Sequence, residues 1–320
     1  MSKLSFHSNS NHTVKEVFDE FIDYGIIKNL TDETIGWYRM QYSIFQKFLK
    51  NDELDISKIS YQTVSDYILY LRKKGTCNEM TVNSYLKGIR AFLYYAMEKE
   101  YLAPFKIKIP KANKKIKETY SDEELKVLLK KPNMKEVTFN EYKMWVFINY
   151  LLGTGNRIST ALNVKICEVD FKNGMLQMNH TKNRIAQFVP LSQTLSNILK
   201  EYLRYRKGNP EDYLFCNSYG EKGDIRTYQD MLKRYNNKRG VSKTSAHLFR
   251  HTFAKKWILN GGDVFRLQKI LGHSDLTVVK EYVNMFGNDM AVNFDKYNPL
   301  DRMKINQQKS KIRMGVCFSE

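Results

Sequence analysis

Residues 244–283 read TSAHLFRHTFAKKWILNGGDVFRLQKILGHSDLTVVKEYV, and the rest of the chain is understood outward from them. They hold His247, Arg250 and His251 in a His-x-x-Arg-His arrangement. Leu271, Gly272 and His273 follow, and nine positions after His273 stands Tyr282. Histidines, an arginine and a phenol on short helices suit the binding of a phosphate and an attack on it. Such a set is incomplete alone. It needs another arginine, a proton donor and a grip on a polyanion.

Composition supplies the grip. The 320 residues are enough for about two domains. They carry 52 Lys+Arg against 34 Asp+Glu, a net charge of +18. That balance points to DNA or RNA, less often to an anionic membrane, and a generically basic protein would also show it. The longest apolar run, residues 144–152, is far short of a membrane span. The polar first residues, MSKLSFHSNSNH, hold no apolar segment of a secretory signal. Cys77, Cys167, Cys216 and Cys317 are scattered, with no Cys-x-x-Cys and no disulfide framework. A reducing, cytoplasmic setting is expected.

Residues 1–12 read as a disordered tail. Residues 13–103 then show four amphipathic helices. Val14, Val17, Phe18, Phe21 and Ile22 recur at helical spacing before Gly25. A second helix starts at Thr31 and places Ile35, Tyr38, Tyr42, Phe45, Phe48 and Leu49 on one face. A third runs over 60–74 and a fourth over 78–101. The aromatic stripe is read as core rather than as a base-stacking platform. Lys73, Lys74, Lys87 and Arg90 lie between the apolar positions, where they face phosphates or water.

Residues 104–118, PFKIKIPKANKKIKE, contain two prolines, six lysines and one acid. Proline stops helices and like charges repel, so this is a basic linker. Lys106, Lys108, Lys111, Lys114, Lys115 and Lys117 are the candidate DNA contacts of a strap. A second domain over 119–300 opens with an N-cap at Ser121 and continues into an apolar helix over 140–152. After Val164 the period changes to two. Strands over 168–171, 175–179 and 186–190, with turns at 172–174 and 181–184, predict a three-stranded antiparallel sheet. Helices over 193–206 and 227–239 lead back to the opening stretch, and residues 301–320 form a tail. The fold class is mostly α with a small antiparallel β-sheet.

The segment TGNRIS (154–159) resembles the Thr-Gly-x-Arg-Ile-Ser segment of the tyrosine recombinases, the phage-integrase family. HLFRH resembles their His-x-Leu-Arg-His, and LGHSDLTVVKEY resembles their Leu-Gly-His with the nucleophilic tyrosine nine residues on. The order of elements fits over residues 13–298. The resemblance implies a SAM-like helical bundle joined to a tyrosine-recombinase catalytic domain. A simple two-domain type, without room for a further arm-binding domain, is expected.

The chemistry stands on its own terms. Attack by a phenol makes a five-coordinate phosphorus with extra negative charge. Two planar guanidiniums, Arg157 and Arg250, suit its non-bridging oxygens. A phenol with a pKa of about 10 would cost about 4 kcal/mol to ionise fully at neutral pH, so nearby cations and a base are needed. His247 is the base that the resemblance implies, His273 a donor to a phosphate oxygen, and Lys182 the acid that protonates the departing 5′ oxygen. Arg184 competes with Lys182 for that role. His251 is read as a buried hydrogen-bonding residue behind the site. The His247–His251 spacing can bind zinc on a helix, but no glutamate lies between them. The scheme calls for no cofactor and no metal.

Two positions depart from the family. Thr160 stands where an acidic residue is usual, and Phe249 replaces the usual leucine. The resemblance further implies duplex DNA held between the two domains, and four protomers holding two sites. A terminal helix over 289–297 would dock on a neighbour, and an accessory directionality factor could take part. A type IB topoisomerase and a non-catalytic DNA-binding regulator are the rival readings. Topoisomerases share the nucleophile, but the linker-plus-bundle layout favours a recombinase. The complete residue set argues against a regulator.

Overall fold

Thr13 starts the first helix, α1 (Val14–Ile27), by accepting from the Glu16 backbone while Glu16 reaches back to the Thr13 N–H. The computed structural model describes residues 12–51, 53–75, 77–112, 118–179 and 186–272, with Lys280 and Tyr282. These belong to two compact units, 1–115 and 116–320. The expected tails and the helix over 289–297 lie outside the described residues, apart from His12.

In the first unit, Thr31, Ser60 and Asn78 cap α2 (Asp32–Leu49), α3 (Tyr61–Lys73) and α4 (Glu79–Glu98). Each helix turns its apolar face inward. Phe18 stacks on Tyr42 with ring centroids 3.8 Å apart, and Phe92 meets Phe18 edge-on. Phe45, Tyr67 and Phe92 are completely buried, so the aromatic stripe is core. Burial of each such ring stabilises the fold by about 1.5–3 kcal/mol.

The first part of the basic linker is fastened to this bundle. Leu102 and Ile107 enter its core. The Ile107 N–H donates to the Tyr94 hydroxyl at 3.2 Å, and Asn83 Nδ2 donates to the Pro110 carbonyl at 2.8 Å. Extended chain alternates its side chains, so burying Ile107 turns Lys106 and Lys108 outward.

The second unit is built around α6 (Phe139–Thr154), which is buried on nearly every side. A helix apolar all round belongs at the centre. It is packed by α5 (Asp122–Leu129), α8 (Gln193–Arg206), α9 (Ile225–Lys238) and α10 (Ala246–Leu259). Its one lysine, Lys143, is buried and donates to the Cys216 carbonyl at 2.9 Å; burial lowers its pKa. Short α7 (Ile158–Ala161) follows α6, and α11 (Val264–Leu271) follows α10. Strands β1 (Val169–Asp170), β2 (Met175–Met178) and β3 (Gln187–Pro190) form one antiparallel sheet in sequence order. Leu176 pairs with Val169 on one side and Val189 on the other, and all three are buried. The fold is thus mostly helical with one small sheet. Among the described residues, no helix is long and apolar enough to cross a membrane.

Candidate active site

The turn after α6 presents Arg157. Gly155 ends α6 with a φ of +65°, where a side chain is strained. A Cβ there would lie 2.6 Å from Phe253 and 2.8 Å from Leu271. Thr154 Oγ1 donates to the Tyr150 carbonyl at 2.7 Å and accepts from the Asn156 N–H. Asn156 is buried and donates from Nδ2 to the Tyr150 hydroxyl at 2.8 Å. These bonds fix the backbone that delivers Arg157, half-buried, to the start of α7.

Helix α10 carries the second set. Positions 247, 250 and 251 share one face. The opposite face is locked by Phe249, fully buried with its ring 4.4 Å from that of Tyr120. The Tyr120 N–H donates to Thr252 Oγ1 at 2.9 Å. Phe249 therefore sets the rotation of α10. Arg250 is only 4% exposed. Its Nη1 donates to the Gly155 carbonyl at 2.9 Å and its Nη2 to the Leu271 carbonyl at 2.8 Å. One guanidinium thus joins the Arg157 turn to the end of α11. These two carbonyls orient the group.

A third tie comes from β3. Gln187 Nε2 donates to the Lys269 carbonyl at 2.7 Å and also to that of Ile270. Gly272 ends α11 at a φ of +60°, and a Cβ there would lie 2.6 Å from Gln187 Oε1. Lys182 precedes β3 in sequence and His273 follows Gly272; both lie outside the described residues, as does Arg184. Gln187 was not singled out from the sequence. Its polar side chain at the start of a strand gives no local hint of a partner 82 residues away.

Tyr282 is 1% exposed and packs with Ala254, Leu267 and Leu271. Its hydroxyl lies 2.7 Å from Nδ1 of His251, with either atom the donor according to the tautomer. His251, four residues on from His247, meets the phenol; the two imidazole centroids are 6.5 Å apart. Arg157, Arg250, His247 and Tyr282 share one electrostatic neighbourhood. Burial, then the charge of Arg157, pushes Arg250 down to about 10, against an upward pull from Tyr282, and it remains protonated at neutral pH. Burial also lowers Arg157, again opposed by Tyr282. His247 is lowered by burial and then by Arg250 and Arg157. Among the described residues no carboxylate offsets them, and Thr160, buried in α7, brings none. His247 is therefore a neutral imidazole at neutral pH, able to accept a proton. The described residues contain no cluster of His, Cys, Asp or Glu able to hold a metal ion.

The candidate DNA contacts in the first unit lie at its surface. Lys73, Lys74, Lys87, Lys106, Lys108 and Lys111 are exposed and Arg90 is half-exposed. Lys114, Lys115 and Lys117 lie outside the described residues. The second unit adds a basic surface that the sequence did not single out: Arg226, Lys233 and Arg234 on the exposed face of α9. The available signal was their placing away from the apolar positions Tyr228, Leu232 and Tyr235.

Comparison with known proteins bears on the family and the fold. Residues 106–288 match the model of the phage integrase family, and residues 13–116 match that of the phage integrase SAM-like domain. The tyrosine recombinase XerD of Staphylococcus saprophyticus is 25% identical over 297 residues, covering 90% of this chain and 99% of the relative. The tyrosine recombinase XerC of Leptospira interrogans is 26% identical over 304 residues, covering 92% and 97%. Two solved structures share the fold. The XerH site-specific recombinase in a post-cleavage complex with palindromic difH substrate has a TM-score of 0.69 at 20% identity, covering 89% of this chain and 85% of that one. The Tn1549 transposon integrase in complex with transposon right end DNA has a TM-score of 0.70 at 18% identity, covering 86% and 95%.

Proposed function

The chain belongs to the phage integrase family and is a tyrosine site-specific recombinase; from that premise we propose how its own residues exchange DNA strands. Its partner is duplex DNA. Tyr282 attacks a backbone phosphorus, forming the Oη–P bond as the bond to the 5′ oxygen breaks. His247 takes the phenolic proton. Arg157 and Arg250 hold the non-bridging oxygens, and His273 donates to one of them. Lys182 gives a proton to the departing 5′ oxygen. A 5′-hydroxyl from another strand then reverses the step, because the 3′-phosphotyrosyl bond conserves the energy of the broken ester. Neither ATP nor a metal enters the scheme.

The observation that carries this reading is the guanidinium of Arg250. It is buried, fixed by two carbonyls and within electrostatic reach of Arg157, His247 and Tyr282. A buried guanidinium held in place on two carbonyls is suited to receive a ligand that brings its own negative charge.

The two units provide the grip. We assign residues 13–103 and the strap over 104–118 to backbone binding, and residues 119–300 to catalysis. Four protomers hold two sites, with the segment beyond Phe286 joining neighbours; deleting it should abolish cooperative synapsis, and unchanged tetramer assembly on DNA would sink that assignment. Integration, excision or resolution of a mobile element or replicon are the fitting reactions, with an accessory directionality factor where one direction is enforced. Cleavage mapped on DNA flanking the native gene would supply the site. A plasmid carrying two such sites should then yield exchanged products. Relaxation of supercoils without exchange would favour a topoisomerase, and binding without cleavage a regulator.

A further inference from the structure

We propose that His251 is a positioning residue for Tyr282: its ring nitrogen seats the phenol hydroxyl inside the catalytic unit at a fixed place relative to Arg250. The proposal rests on the reading of Tyr282 as the nucleophile and adds a residue to its machinery. His251 directly follows Arg250 on α10, and the rotation of that helix is locked by Phe249 against Tyr120. The Arg250 guanidinium is itself fixed by the carbonyls of Gly155 and Leu271. A hydroxyl bonded 2.7 Å from His251 Nδ1 is therefore registered to the group that receives the phosphate. The ring of Tyr282 is held separately, among Ala254, Leu267 and Leu271. Packing sets the ring and His251 sets the oxygen.

Two consequences follow. The bond to His251 is made by a deeply buried hydroxyl, so removing the nitrogen destabilises the seated state by about 1–3 kcal/mol, or about 5- to 150-fold in its population. Tyr282 is also closed to solvent while seated, at 1% exposure. Cleavage then begins by trading the bond to His251 for the approach to phosphorus. A hydroxyl that starts in register reaches that point with less conformational search.

Two variants separate seating from bulk. His251→Phe keeps an aromatic ring and removes the nitrogen; His251→Asn keeps a hydrogen-bonding atom near the place of Nδ1. The DNA-free proteins are treated with tetranitromethane, and nitration of the Tyr282 peptide is followed by mass spectrometry, with the buried Tyr67 as internal control. Nitration at Tyr282 should rise about tenfold or more in His251→Phe and return toward the parent rate in His251→Asn. On a nicked site, His251→Phe should form covalent adduct about 10- to 100-fold more slowly at equal DNA affinity, with partial recovery in His251→Asn. Parent-level protection of Tyr282 in His251→Phe would overturn the proposal, as would adduct formation at the parent rate. Equal defects in both variants with a lowered melting midpoint would assign His251 a merely structural role and likewise overturn it. The nitration arm does not depend on the nucleophile: an adduct that persisted in Tyr282→Phe would remove that reading and leave the seating result to stand or fall alone.

Discussion

Replacing Arg250 withdraws two hydrogen bonds from two turns at once, because its fork spans the carbonyls of Gly155 and Leu271. Arg250→Lys keeps the charge but not the paired donors. DNA affinity should stay near the parent value, while single-turnover cleavage falls about 100- to 1,000-fold. Cleavage within about threefold of the parent would deny Arg250 its role. Gly155→Ala should lower the melting midpoint, since a left-handed φ costs a side chain about 1–2 kcal/mol and the added methyl would strike Phe253 and Leu271. His247 gives the pH dependence. Its pKa is lowered, so the neutral form that accepts a proton prevails at neutral pH and is lost only as pH falls through that depressed value. Adduct formation should be flat around neutrality, with an acid limb below about pH 6.5, the ordinary histidine value. A limb centred above pH 7 would contradict it. At this scale the sequence was informative where chemistry is local. Paired donors suit a phosphate; Arg250 stood out within its His-x-x-Arg-His cluster, and Arg157 through the resemblance of its TGNRIS segment. The bond of His251 to Tyr282 did not, because no spacing tells which of two histidines will meet a side chain 31 positions away.

Helices and strands were legible where their own pattern decides them. The segment over 193–206 reads as a helix and forms one from Gln193 to Arg206, started by Ser192. The first strand was expected over 168–171 but spans only Val169–Asp170. Asp170 Oδ1 accepts from the N–H groups of Lys172 and Asn173 and turns the chain early. What the pattern could not show is how elements are tied. Arg250 binds α10 to α11, and Gln187 binds β3 to α11. Gln187 therefore couples the strand that follows Lys182 in sequence to the helix that precedes His273. Gln187→Leu should leave DNA affinity unchanged and slow adduct formation about 10- to 100-fold, the cost of misplacing groups by a fraction of an ångström to an ångström. A parent-like rate in single-turnover cleavage would show that the two elements keep their places without it.

Across the whole molecule, charge and motif order carried the class. A net charge of +18 marked a polyanion binder, and the ordered motifs narrowed it to DNA strand exchange. Composition did not reveal that Ile107 and Pro110 fasten the strap's first half to the bundle, which leaves Lys106, Lys108 and Lys111 pointing outward. If six exposed lysines of the first unit meet phosphates, affinity should fall about 1,000-fold between about 50 and 200 mM salt. Changing Lys106, Lys108 and Lys111 together to Gln should reduce the logarithmic salt slope by about 3, as measured by binding titrations at several salt concentrations. An unchanged slope would remove the strap from the interface. The central claim is that Tyr282, one of 21 tyrosines, is the residue that becomes joined to DNA. Its most direct test is to trap the covalent adduct on a nicked recombination site and identify the modified peptide by mass spectrometry. The account predicts a 3′-phosphotyrosyl bond on Tyr282, and no adduct from a Tyr282→Phe protein that binds the same DNA with parent affinity. An adduct carried by any other residue, or one that persists in Tyr282→Phe, would contradict it.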